Sequence, residues 1–298
     1  MNEPRVYKHS VFLPIIFLLL FLFIGTVLFF NFNAVGGVVV VPLMAVVGLV
    51  FGIATLTYLS KTIISDDEIS TQNIFGLNTL RWSEIRRVSG RGYRIKLHNF
   101  DEDVTVSPSP EVPGYEEIIE VIGAKRPDLF SPMEYNEMRR GAGSIAQLFI
   151  VMIIVIGMVV GFMVAISSTS DTSTFSFFPL VIMVIVILVV GALSLSAPRS
   201  ISLDGNTLTL KYLFNEKNLT ADEISSVQFS FTRTRNGKHY FVALNLANRK
   251  TIRVSGLSIS LPVAYLVLKN WLKNNKQGQS RQPMSDNIAP NWSDNSWN

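Results

Sequence analysis

The amino-acid sequence predicts an α+β membrane protein, with four transmembrane helices in two hairpins and two small antiparallel β domains. Three observations lead to this prediction. Apolar residues without charge fall in four blocks, each about as long as a membrane-spanning helix. The polar stretches after each pair of blocks alternate apolar and polar residues, which is typical of strands. These two stretches also resemble each other, which indicates an internal repeat.

The composition is unusually poor in charge. Of the 298 residues, 48% are hydrophobic and 16% are charged, and the mean hydropathy is +0.35. Ordinary soluble domains carry roughly 25% charged residues. The chain has no cysteine, which excludes disulfides, thiolate catalysis and cysteine-bound metals.

The four apolar blocks contain no Asp, Glu, Lys, Arg or His. They are Val11–Phe30, Val35–Tyr58, Ile145–Ile166 and Phe177–Leu195. Four uncharged stretches near 20 residues are typical of transmembrane helices rather than of buried soluble helices. The first block is longer than the roughly 7–15 apolar residues of a signal peptide, and no A-x-A-like site follows it.

Basic residues at the ends of the blocks predict the orientation. All of them fall on one predicted side of the membrane, and the two short loops on the other side contain no basic residue. The basic residues are Arg5, Lys8, Lys61, Arg139, Arg140 and Arg199. By the positive-inside rule, we expect a multi-pass protein of the plasma membrane. Both termini and both polar domains are then expected in the cytoplasm.

An internal repeat appears when the polar stretches are aligned. At one constant offset the identities are Phe75/Phe214, Leu80/Leu219, Glu84/Glu223, Ile85/Ile224 and Val88/Val227. We therefore predict an N-terminal tail (1–10), a first hairpin (11–58) and a first polar domain (59–140). A second hairpin (141–197), a second polar domain (198–276) and a disordered tail (277–298) follow.

Each polar domain is predicted to be an antiparallel meander closed by one helix. In the second domain, strands are expected over Ile224–Thr234 and His239–Leu246, around Asn236-Gly237, a preferred centre of a type I′ turn. The closing helices are expected over Gly114–Ala124 and Leu261–Asn274, where apolar residues recur at helical spacing.

Several short motifs carry a family resemblance. They are the strand–turn pair Ile64–Ile69, the corners Trp82–Ile85 and Ala221–Ile224, and the closing helices. On these features the chain resembles the bacterial pleckstrin-homology-like (PH-like) membrane proteins, up to Asn275. The resemblance implies that a helical hairpin precedes a small β-barrel or bent sheet capped by a helix, and it implies no catalytic residues.

The sequence departs from phosphoinositide-binding PH domains at the first strand turn. Those domains clamp phosphates there with basic residues, whereas this chain has the turns Ser65–Glu68 and Leu203–Asn206. Because the aspartate and glutamate side chains in these turns would repel a phosphate, we do not expect specific recognition of inositol phosphates at this site.

No motif for catalysis, metal or cofactor binding is evident. The histidines His9, His98 and His239 are scattered and lack metal-ligand spacing. The segment His98–Asp103 clusters possible ligands, but a solvated acidic turn is the favoured interpretation. We predict no enzyme activity, no cofactor and no nucleic-acid partner.

Two glycine pairs with small-xxx-small spacing fall in the apolar blocks. They are Gly48 with Gly52, and Gly157 with Gly161. Such pairs let membrane helices approach closely, so they are candidates for helix packing. Incidental placement is the alternative, since glycine is common in membrane helices.

The two polar domains differ in charge. Lys61–Arg140 carries a net charge of −3, and Pro198–Lys276 carries +8. The candidate binding residues of the second domain are Arg233, Arg235, Lys238, Arg249, Lys250 and Arg253. They could bind an anionic lipid surface or the acidic helix of the first domain, which carries Glu116, Glu117 and Glu120 with Glu111 before it. Alternatively, they merely support solubility and topology.

The preferred functional hypothesis is a non-enzymatic, membrane-anchored scaffold. Its two PH-like modules would bind a protein partner or self-associate, through exposed sheet edges and the groove beside a closing helix. The alternative is recognition of anionic lipid headgroups by the basic second domain. In both cases the apolar blocks are expected in a lipid bilayer.

Overall fold

The computed structural model of the chain contains antiparallel sheets and α-helices. It describes residues 3–9, 12–30, 37–58, 60–73, 76–141, 198–234 and 237–279, and eight residues between 150 and 185 that stand singly or in pairs. Two four-stranded and two three-stranded sheets lie within these ranges. They form two repeats with the same order of strands, and a closing helix ends each repeat.

The first repeat begins with a strand, continues through two apolar helices and returns to the same sheet. The sheet comprises β1 (Arg5–Lys8), β2 (Lys61–Ile64), β3 (Glu68–Asn73) and β4 (Gly76–Arg81), in this order. Helices α1 (Phe12–Phe30) and α2 (Gly37–Tyr58) lie between β1 and β2 in the chain. A second sheet contains β5 (Arg87–Ser89), β6 (Lys96–His98) and β7 (Thr105–Val106), and α3 (Tyr115–Lys125) follows it.

The second repeat has the same order of strands, with longer strands in its second sheet and a longer closing helix. Its first sheet comprises β8 (Glu137–Arg139), β9 (Ser200–Asp204), β10 (Thr207–Lys211) and β11 (Glu216–Thr220). Its second sheet comprises β12 (Ile224–Thr234), β13 (Gly237–Leu246) and β14 (Thr251–Val254). Helix α4 (Leu261–Gln279) closes this repeat, as α3 closes the first.

The prediction of four transmembrane helices is contradicted. Taken over the residues that the structure describes, no helix has both the length and the apolar character needed to cross a membrane. The membrane-protein class and the multi-pass plasma-membrane location, with cytoplasmic termini, are overturned with it. The prediction rested on the length of the four blocks and on their lack of charge, both read from the sequence alone.

The described helices nevertheless expose much apolar surface. Large side chains such as Phe23, Phe29 and Leu49 are exposed on α1 and α2. In the third and fourth predicted blocks, the described residues are only single positions or pairs. The remainder of the predictions for these two blocks lies outside the described residues.

The two repeats share strand register as well as element order. Ile69 pairs with Leu80 in the first repeat, and Leu208 pairs with Leu219 in the second. All four side chains are buried. The corners that follow are alike, because the main-chain N–H groups of Arg81 and Thr220 donate to Glu84 and Glu223 respectively. These contacts give the aligned residues equivalent positions.

One turn differs from its prediction. Thr234 pairs with Gly237, which places Gly237 in β13 and leaves residues 235–236 to connect the two strands. The backbone of Gly237 has φ of 120°, a conformation that glycine adopts without the strain of a side chain. The turn is therefore one residue earlier than the predicted Asn236-Gly237 centre.

A single hydrophobic core joins the two repeats. Buried residues from both repeats, including Ile85 and Ile118 from the first and Val242 and Leu268 from the second, form one cluster. The closing helices touch, since a Cβ at Gly123 in α3 would overlap the side chain of Leu266 in α4. The two repeats are therefore one packed body.

Candidate functional site

The contact between the repeats, here called the seam, is built around Tyr240 on β13. Its ring stacks on Phe229 with centroids 5.0 Å apart, and it lies 5.6 Å from the rings of Tyr93 and Tyr115 in the first repeat. Its hydroxyl donates a hydrogen bond of 2.8 Å to the main-chain oxygen of Pro110. The long β12–β13 hairpin thus reaches over the first repeat.

Charged side chains flank these aromatic rings. Lys238 lies 3.8 Å from Glu116, and both side chains are only about a quarter exposed, at 23% and 28%. The Lys238 ammonium also sits 4.5 Å from the centroid of Phe231. Further along the seam, Tyr265 and Lys269 of α4 both donate to the carboxylate of Glu120 on α3. Two lysines of the basic repeat are therefore paired with the acidic helix.

Burial in the seam changes the ionisation of its groups. Desolvation raises the pKa of Tyr240 and of Tyr265, and the nearby carboxylates of Glu116 and Glu120 raise it further. Burial lowers the pKa of His9, with the charge of Lys238 acting in the same direction. The tyrosines are therefore neutral hydrogen-bond donors, and protonation of His9 is opposed in the folded state.

The structure divides the six predicted basic residues into separate groups. Arg233 and Lys238 pair across β12 and β13 near the turn, and Arg235 lies outside the described residues. Arg249 and Lys250 lie in the turn between β13 and β14, at the other end of the sheet. The strand between Lys238 and Leu246 spans about 26 Å at about 3.3 Å per residue. The six residues therefore do not form one patch.

Three of these residues lie on β14 or in the turn that precedes it. The guanidinium of Arg253 lies 4.8 Å from the ring centroid of Phe241, on the face of the sheet opposite Tyr240. Arg249 and Lys250 precede it by a few residues, and all three basic side chains are exposed. Within the described part of the chain, no carboxylate forms an ion pair with any of them. We call Phe241, Arg249, Lys250 and Arg253 the outer basic surface.

The predicted glycine pairs show limited packing. A Cβ at Gly48 would make ordinary contact with Phe21 of α1, whereas one at Gly52, Gly157 or Gly161 would meet no described atom within 4 Å. The tighter approach involves Gly25, where a Cβ would lie 3.2 Å from Met44. The spacing rule missed Gly25 because the residues four positions away on the same helix, Phe21 and Phe29, are large.

The histidine and acidic segment 98–103 forms local contacts. The two ring nitrogens of His98 lie 2.7 Å from the hydroxyl of Ser89 and 3.2 Å from that of Thr105. Asn99 donates to Asp103, which lowers the pKa of that carboxyl group. Across the described residues, no group of three or more histidine or acidic side chains is arranged to hold a metal ion.

Comparison with known proteins adds no identity. No family model matches the chain, and no curated protein matches it. The argument about function therefore rests on the geometry of the seam and of the outer basic surface.

No pattern in the sequence indicated the aromatic part of the seam. Tyr93, Tyr115 and Tyr240 are far apart in the chain, and each fits equally well in the core of its own repeat. The charge difference between the repeats did indicate mutual docking as one of three interpretations. It did not identify Lys238 and Lys269 as the residues involved.

Proposed function

We propose that the chain is a non-enzymatic scaffold whose outer basic surface binds an acidic protein partner. The supporting observation is that the two repeats already pair some of their opposite charges. Glu116 and Glu120 are bound to Lys238 and Lys269 in the seam, and Arg5 lies against Glu117. Arg249, Lys250 and Arg253 have no carboxylate partner among the residues that the structure describes. They can therefore bind a carboxylate of another protein.

The chemistry of this surface suits a protein partner. An arginine stacked on an aromatic ring loses less freedom when it binds a carboxylate, because its planar group is already oriented. Arginine and aromatic residues are also enriched among the residues that dominate binding energy at protein interfaces. The groove beside α4, by contrast, is partly filled by the first repeat, since Asn270 donates to the main-chain oxygens of Pro127 and Phe130.

The test compares two charge-reversed forms of the full chain. Arg249→Glu with Arg253→Glu alters the outer basic surface, and Lys273→Glu is the control, since Lys273 is an exposed lysine on α4 of the same repeat. Proteins that co-purify with the wild-type chain are identified, and the binary complex is rebuilt from purified components. We expect Lys273→Glu to bind like the wild type and the double variant to lose binding.

The dependence on salt provides a second measurement. Attraction between exposed charges is screened at higher ionic strength, so association of the wild-type complex should slow as salt is added. The double variant should show little such dependence. Equal affinity of the wild type and the double variant for the rebuilt partner would contradict the proposal.

A further inference from the structure

A second exposed feature lies at the turn between β10 and β11. This turn contains Leu213 and Phe214, which are 39% and 85% exposed. A hydrogen bond of 2.7 Å from the Tyr212 N–H to the Asn215 oxygen closes it. The two apolar side chains therefore project from an ordered turn.

The turn lies at a particular end of its sheet. Lys211 at the end of β10 pairs with Ser200 at the start of β9, and Ser200 also pairs with Arg139 at the end of β8. The chain leaves β8 and enters β9 at this same end. In the first repeat the corresponding end carries Lys8 and Lys61, where the chain departs to and returns from helices α1 and α2.

Basic residues surround the apolar turn. This end of the sheet carries two acidic residues, Glu137 and Glu216, and five basic residues: Arg139, Arg140, Arg199, Lys211 and Lys217. These carboxylates are paired with Arg139 and Lys211. Arg199 is exposed. The excess charge next to the turn is therefore positive.

The first repeat presents a similar apolar feature. Leu77 is exposed at the start of β4, next to the sequence Ile74-Phe75 that aligns with Leu213-Phe214. An exposed apolar residue, Leu77 or Phe214, therefore stands at the equivalent end of each sheet, near lysines. Isolated exposed apolar residues are common on proteins, but their repetition at equivalent positions indicates a shared use.

We propose that the β10–β11 turn contacts an anionic lipid surface, with Phe214 inserted among the lipids and Arg199 near the headgroups. An aromatic side chain among lysines and arginines is the chemistry that interfacial lipid binding uses, since apolar insertion and attraction to anionic headgroups add together. This site is separate from the outer basic surface and does not depend on the proposed protein partner. It also differs from the residues at which the sequence predicted lipid recognition.

The chain has no cysteine, so one introduced cysteine can carry an environment-sensitive fluorophore. Phe214→Cys places it on the β10–β11 turn, and Asn206→Cys places it on the exposed β9–β10 turn at the opposite end of the same sheet. The labelled full-length chains are mixed with phosphatidylcholine vesicles, with or without phosphatidylglycerol. Quenching by iodide from water and by brominated lipid is measured.

We expect the label at position 214 to shift to the blue, to be quenched by brominated lipid and to be protected from iodide, with less lipid required when phosphatidylglycerol is present. The label at position 206 should remain accessible to iodide. Identical behaviour of the two labels would overturn the proposal. Protection of position 214 before lipid is added would also overturn it, because the turn would then be covered by protein.

The charge contribution has its own matched pair of variants. In the background labelled at position 214, Arg199→Gln should raise the half-saturating concentration of anionic vesicles about fivefold, since one cation near such a surface contributes about 1 kcal/mol. Arg253→Gln removes the same charge from the outer basic surface and should leave it unchanged. An effect of Arg253→Gln without one of Arg199→Gln would refute the assignment to this turn.

Discussion

The two repeats share their sheets and corners but differ where they meet. β5 and β6 of the first repeat have three residues each, whereas β12 and β13 of the second have 11 and 10. Helix α3 has 11 residues and α4 has 19. The added length of the β12–β13 hairpin carries Lys238 and Tyr240, which contact the first repeat in the seam. The repeats therefore differ most in the elements through which they contact each other. Two surfaces that pack together must be complementary, so they are not expected to stay identical.

The largest expected effect tests whether the shared core makes the repeats unfold together. Ile69→Ala and Leu208→Ala remove aligned side chains that are fully buried. Each should lower the free energy of unfolding by about 2–5 kcal/mol. The fluorescence of Trp82 reports the unfolding of the first repeat, and that of Trp271 reports the unfolding of the second. Replacing one of the two with phenylalanine leaves the other as the single tryptophan probe in the described core. The two probes should give coincident denaturant transitions in both variants.

Two separate transitions would contradict the prediction that the repeats unfold together. If Ile69→Ala shifted only the transition reported by Trp82, the repeats would be independent units in contact. Leu213→Ala provides the control, because the same kind of truncation at an exposed position should have little effect on either transition.

A smaller effect is expected from the hydrogen bond across the seam. Tyr240→Phe keeps the ring contacts but leaves the oxygen of Pro110 without its donor, which should lower the free energy of unfolding by about 1–2 kcal/mol. Tyr212→Phe makes the same change at a half-buried tyrosine outside the seam. Equal losses for the two variants would show that the bond to Pro110 contributes nothing specific.

The two corners should respond alike. Glu84→Ala and Glu223→Ala each remove a carboxylate that accepts a main-chain N–H, at a cost of about 1 kcal/mol. The loss should be somewhat larger at Glu223, which lies 2.8 Å from the Thr220 nitrogen and also accepts from its hydroxyl, than at Glu84, 3.2 Å from the Arg81 nitrogen. Thermal unfolding measures both losses. A loss at only one of the two corners would contradict their equivalence.

The smallest expected effect is a dependence on pH from His9. Because its pKa is lowered in the folded state, the unfolded chain takes up this proton first as the pH falls below about 6.5. Stability should therefore be constant above that pH and decline below it, until the folded-state pKa is passed. Lys238 opposes the protonation and Glu111 favours it. His9→Asn should flatten this part of the stability profile.

Asp128 titrates in a different window, which separates the two effects. Arg126 lowers the pKa of this carboxyl group, so the stability it contributes is present above about pH 4 and is lost as the pH falls further. Persistence of the decline below pH 6.5 in His9→Asn would show that another group causes it.

Local features of the fold were predictable from the sequence, and distant contacts were not. The alignment of Ile69 with Leu208 and of Leu80 with Leu219 found true structural equivalents, because strand alternation and corner residues are encoded locally. The bond from Tyr240 to Pro110 joins residues 130 positions apart, and no periodicity identifies such a pair. Hydropathy blocks located α1 and α2 but led to the wrong inference of four membrane spans.

The candidate sites show the same division. The charge imbalance between the repeats was visible in the sequence, but its distribution among Lys238 in the seam, Arg253 outside and Arg233 near a turn depends on strand register. The four-residue strand β1 was predicted as part of a tail, because four residues are too few to reveal a period of two.

The position of β1 and β8 makes the apolar segments removable in principle. Lys8 and Lys61 are direct partners across β1 and β2, so their Cα atoms lie about 5 Å apart. Arg139 and Ser200 stand in the same relation across β8 and β9. Each apolar segment therefore occupies the place of a hairpin loop, and a short engineered turn has the reach to replace it. The body formed by the two repeats is, in this sense, a module into which two long loops have been inserted.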